Sequence, residues 1–344
     1  MKTAPWPTPR QRHFAAFASC VVWLASLGLA WSCVHGGGGG SRPSGSGLFG
    51  GDGEEAGAVG GAFLWRVTSP TPGGGGEGGP TASSSWLFGT VHVGFEAEKD
   101  LAPHVWKAFR ASPCFVMESD PTAMSPTEIV SLSRLPEGQQ LERQLKPEAW
   151  AKVKSRLSGA LPPQLLANSA PWFVTLLYLQ AIAPDAGEPM DGIFHSRAQD
   201  LEKRTEYLED WREAMSAFAS VTGAEDLEDL ALHEEKALRE IEIMLEAYKS
   251  GDEAKLISVM SDINDDTPNG DAKLRVLLDE RNGKWMPRLT DTLARAPSGG
   301  CFVAVGAGHL IGKNNLRDQL TARGYKISRA SAADVAAAAS GASL

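Results

Sequence analysis

The stretches "SSWLFGTVHV" (84–93), "DLAPHVWKAFRAS" (100–112) and "CFVMESD" (114–120) decide the fold. The first and third are short apolar runs bounded by breakers, the pattern of buried strands. Between them, Leu101, Val105, Ala108 and Phe109 recur at helical spacing. Strand, helix, strand is a crossover unit, and crossovers build α/β sheets. A stretch more than two hundred residues on, "CFVAVGAGHLIG" (301–312), repeats the grammar of the first: apolar strand, glycine, two residues, histidine. Only a fold could bring Gly89-x-x-His92 and Gly306-x-x-His309 together, and the shared pattern at opposite ends argues for a single domain.

The middle of the chain reads as helical. Helices broken at prolines are expected within 147–159 and 162–182, and others begin near 191, 208 and 232. The segment 271–297 is a further long helix, followed by the strand at 301, a helix over 314–324 and a short strand at 325–330. "FLWRVTS" (63–69) adds a strand before the first crossover, joined to it by a breaker-rich loop. The expected fold is therefore α/β: a mixed, largely parallel sheet with flanking helices and a helical middle insertion.

The ends differ in composition. Residues 1–33 carry Lys2, Arg10 and Arg12, no acid, and an uncharged apolar stretch from Phe14 to Cys33, which reads as an export signal. Cys33 at the end of "LAWSC" suggests a bacterial lipoprotein cleavage site and a lipid tether, with an uncleaved membrane anchor or a secreted product as the alternatives. Residues 34–61 are a Gly/Ser-rich linker, the domain is expected over 62–328, and 329–344 is a low-complexity tail expected to fray. Cys114 and Cys301 are read as two buried thiols, a single bridge being the alternative in an exported protein. The formal net charge of -9 falls to -12 once the three leader cations are set aside, a poor footprint for nucleic acid.

The Gly-x-x-His spacing is weak by itself, since 37 glycines produce it by chance and Gly192 and His195 meet it too. Context separates His92 and His309: both end strands, and ligands of open α/β sheets bind at the carboxyl ends of strands. His195, His104 and His233 are read as structural or surface residues. Glu118 follows four apolar residues, where a carboxylate is costly to bury unless paired or bound to a metal.

Six blocks, "LFGTVHVG", "FVMESD", "YLEDW", "YKSGD", "LLDERNGKW" and "FVAVGAGHLIG", occur in this order, and together resemble the TraB/PrgY/GumN family, which includes the animal Tiki proteases. The resemblance implies a fold similar to erythromycin esterase and ChaN-like proteins. It also implies a site of His92, Glu118, His309 and Arg281, with Glu209 and Asn282 on the substrate side, and His92, Glu118, His309 and Glu280 as candidate metal ligands. Two imidazoles and one or two carboxylates suit Mn, Co or Zn with an open position for water. Arg281 could clamp a substrate carboxylate or stabilise developing negative charge. The expected activity is that of an exported, cell-envelope metal-dependent hydrolase, a peptidase, with a peptide or small molecule as substrate. The alternatives are a metal-independent esterase using His92 and Glu118, or a module that captures a ligand without turnover.

Overall fold

The computed structural model describes residues 63–70, 84–91, 97–123, 125–183, 189–265 and 270–340. His92, the leader with Cys33, and the linker lie outside the described residues. Six strands form one sheet: β1 (Leu64–Thr68), β2 (Ser84–Thr90), β3 (Cys114–Met117), β4 (Arg204–Tyr207), β5 (Cys301–Gly306) and β6 (Lys326–Arg329), in the order β4-β3-β5-β2-β1-β6. β2, β3, β4 and β5 pair in parallel, and β1 is antiparallel to both β2 and β6. The mixed, largely parallel sheet expected from the crossover is thus the observed one.

The order explains why the two ends of the chain meet. The crossover from β2 to β3 leaves a gap one strand wide, and β5 fills it, pairing with β2 on one side and β3 on the other. All residues of β3 and β5 are buried, as parallel strands covered on both faces must be. The helices that matter here are α1 (Pro103–Ala111), α2 (Pro147–Leu157), α3 (Pro171–Ile182), α4 (Met190–Asp200), α5 (Trp211–Val221), α6 (Ala224–Leu232), α7 (Glu234–Lys249), α8 (Glu280–Ala294) and α9 (Ala332–Ala339). On one face Phe194 of α4 packs among Phe88, Phe109, Phe115 and Phe302, with ring centroids between 5.1 and 6.4 Å apart. Trp285, Met286, Leu289 and Leu293 of α8 join the same core. A second core, built on Trp150, Trp172, Tyr178, Trp211 and Phe218, holds α2, α3, α5 and α6 together as the helical insertion.

Two expectations are corrected. Cys114 and Cys301 are not separate thiols: they face each other in the β3–β5 register with Cα atoms 4.3 Å apart, and form a disulfide. The tail does not fray over its whole length, because Ser331 caps α9 and Val335 is buried in the main core. An alanine-rich run with a capping box is a good helix former once one apolar side chain finds a place to dock.

Candidate functional site

Gly89 and Gly306 bring the strand ends together. A side chain on Gly89 would place its Cβ 2.9 Å from Cβ and 3.0 Å from Cα of Ala307, so the motif glycine permits close packing of β2 against the turn after β5. The Gly89 carbonyl accepts a 2.7 Å hydrogen bond from Tyr248 of α7. Gly306 donates its N–H to Oε1 of Glu118 at 2.9 Å, fixing the carboxylate that follows β3 to the end of β5.

Arg281 lies across these strand ends from α8. Its Nη2 donates to Glu118 Oε2 at 2.6 Å and to Glu209 Oε1 at 2.5 Å, and Nε reaches the two Glu209 oxygens at 3.1 and 3.3 Å. Nη1 donates to the Leu277 carbonyl at 3.1 Å and approaches His309 Nε2 at 3.3 Å. The five N–H groups of a guanidinium are thereby all directed at protein acceptors. The carboxylates that Arg281 holds are the protein's own, from the ends of β3 and β4.

Every member of the group is buried: Glu118 and Glu209 are 6% exposed, Arg281 3%, and Asn282 and His309 1%. Burial opposes the charge on Arg281, but the fields of Glu209 and Glu118 outweigh it and hold the guanidinium above its ordinary value. An ion pair this deep is costly to break, since removing one partner strands the other.

Sequence reasoning missed Trp285. Its Nε1 donates to Glu209 Oε2 at 3.0 Å, its ring lies 4.6 Å from the Arg281 guanidinium carbon, and its centroid is 4.3 Å from that of His309. The i, i+4 spacing from Arg281 carried the signal, because such a pair shares one helix face.

The other expected residues sort plainly. His309 and Glu118 come together, with Nε2 and Oε1 3.8 Å apart. Glu209 and Asn282 join the same buried group. Glu280 does not: it is exposed and pairs with Arg275, because the inward positions at the start of α8 are taken by Arg281 and Asn282. His195 is buried against Tyr207, 3.1 Å from its hydroxyl.

Among the described residues, no group of three His, Cys, Asp or Glu side chains is arranged to hold a metal ion. Glu118 Oε1 and His309 Nε2 are two donors whose 3.8 Å separation can be spanned by a pair of bonds of about 2.0–2.2 Å. A complete set needs a third ligand, and the expected one, His92, is outside the described residues.

Strand-end acids, an imidazole and a buried cation thus gather at the carboxyl edge of a mixed sheet, the edge where ligands of open α/β proteins bind. A model of the TraB/PrgY/gumN family matches residues 74–329, and the chain belongs to that family. It is similar to "Metalloprotease TIKI1" of Danio rerio, with 26% identity covering 77% of this chain and 62% of the relative. The proteins of that name from Homo sapiens and Xenopus tropicalis are each 24% identical, over 79% and 77% of this chain. The chain spans about three-fifths of the length of the curated relatives it matches, 61% to 62%. No solved structure matches it.

Proposed function

We propose that the chain is an exported hydrolase that cleaves peptide bonds at the Glu118–His309 edge of the sheet. The observation that carries this reading is the Arg281 bridge, which holds Glu118 beside His309 at the ends of adjacent strands. Family membership and the metalloprotease relatives support the reaction class. The disulfide supports export, because such bridges persist in oxidising compartments. Among the described residues no helix is long and apolar enough to cross a membrane, and a tether would belong to the leader.

In this reading Arg281 is a positioning residue. Its donors are engaged, so it acts by holding Glu118 and His309 in place and by setting a fixed positive charge near the reacting carbonyl. Glu118 and His309, with His92, would hold a divalent Mn, Co or Zn ion, which when bound supplies an activated water. Glu209 steadies Arg281, and Trp285 closes the far side of the His309 ring.

A second reading follows from one observation: Arg281 Nη1 is directed at His309 Nε2, an atom a metal would claim, while Nη2 holds Glu118 by its other oxygen, Oε2. Without metal, Glu118 or His309 takes a proton from water and returns it to the leaving group, as in an esterase. A peptide and ester library incubated with the full chain and Mn, Co, Zn or chelator separates the two. The metallopeptidase reading predicts peptide products that vanish in chelator and return with metal. Full activity in chelator removes it, and ligand binding with no product at any metal concentration removes both.

A further inference from the structure

The carbonyl oxygen and the amide nitrogen of Asn282 are both in use. Oδ1 lies 2.7 Å from His309 Nδ1, and Nδ2 donates to the backbone carbonyl of Asn314 at 3.1 Å. The second contact fixes the orientation of the amide, because only NH2 can donate to a carbonyl. The atom facing His309 is therefore the oxygen, and Nδ1 must carry the proton. Nε2 is left with the lone pair, on the side of Glu118 and Arg281.

The carbonyl that orients Asn282 is itself held. Asn314 has φ +52°, a left-handed conformation that asparagine tolerates better than most residues. Its side-chain Nδ2 donates to Asp279 Oδ2 at 3.1 Å, and its carbonyl also accepts from Gln319 at 2.9 Å. Asp279 ends a π-helical turn, Arg275–Asp279, from which Glu280 donates its N–H to the Arg275 carbonyl. Such turns shift helical register and concentrate at functional sites. Arg281 and Asn282 follow this turn directly and are both buried at the strand ends, and Leu277 within it accepts from Arg281.

We propose that Asn282 is a positioning residue acting through His309: braced by Asn314 and Asp279, it locks the imidazole as the Nδ1–H tautomer and turns the Nε2 lone pair toward Arg281 Nη1, beside Glu118. This assigns to Asn282 a role other than contact with substrate. Its bearing on turnover rests on the proposed hydrolytic site, whereas the tautomer is read with no substrate present, so the two can fail separately.

The test is nitrogen NMR of the full chain labelled at histidine, in chelator at mildly alkaline pH, with the His309 signals assigned by their loss in His309→Gln. The expected result is a protonated Nδ1 and an unprotonated Nε2 in the parent. Asn282→Asp, which keeps an acceptor, should retain that pattern, and Asn282→Leu should shift it to Nε2–H or to an average of the two forms. A parent already in the Nε2–H form overturns the proposal without any variant. So does an Nδ1–H pattern unchanged in Asn282→Leu. If the leucine variant does not fold, the parent and Asn282→Asp spectra decide.

Discussion

Arg281 concentrates the energetics of the site in one side chain. It balances two buried carboxylates, and its removal leaves both without the cation that offsets their desolvation. Arg281→Met should therefore cost about 3–5 kcal/mol of stability. Denaturant unfolding of the full chain reads this as a lowered midpoint at constant slope. A midpoint within error of the parent would mean that the bridge contributes nothing to the fold. Glu118 was legible in the sequence because a carboxylate after four apolar residues demands a partner, and His309 because it closes a strand. Trp285 was not, because an aromatic at helical spacing reads equally well as core, and it is core: only its neighbours give it a second role. Asn282 was legible as a site residue by resemblance alone, and the geometry that turns it toward His309 depends on a π-turn that periodicity does not encode.

At the level of elements, the strands and the long helices were readable because apolar runs and helical spacing dictate them locally. Strand order was not. That β5 lies between β2 and β3, and so pairs Cys114 with Cys301, depends on where a crossover leaves a gap, which no local pattern records. The motif glycines belong to this scale. The neighbour that Gly89 admits is Ala307, so its role is to let two strand ends touch. Gly89→Ala should lose about 1–3 kcal/mol through overpacking. Gly283, exposed in α8 with open space where a Cβ would stand, should behave in the opposite sense. Gly283→Ala should be neutral or gain up to about 1 kcal/mol from helix propensity. Thermal unfolding of the pair measures both; equal shifts for the two variants would refute the close-packing account.

For the whole molecule, the sheet acts as a device that converts sequence distance into contact: Glu118, Glu209, Arg281 and His309 arrive from four parts of the chain at one edge. The disulfide at the opposite ends of β3 and β5 fixes the same two strands whose carboxyl ends carry Glu118 and His309. The central proposal is that this edge performs hydrolysis. Two glutamates expected at the site from resemblance now differ sharply in placement: Glu118 lies inside the Arg281 bridge, and Glu280 is exposed against Arg275. The most direct measurement is turnover of a peptide cleaved by the parent chain, compared between Glu118→Gln and Glu280→Gln with folding checked by thermal unfolding. The account predicts a loss of about 10²-fold or more for Glu118→Gln, on the scale of a lost acid–base or ligand group, and parental turnover for Glu280→Gln. Parental turnover in a folded Glu118→Gln variant, or an equal loss in both, would contradict it.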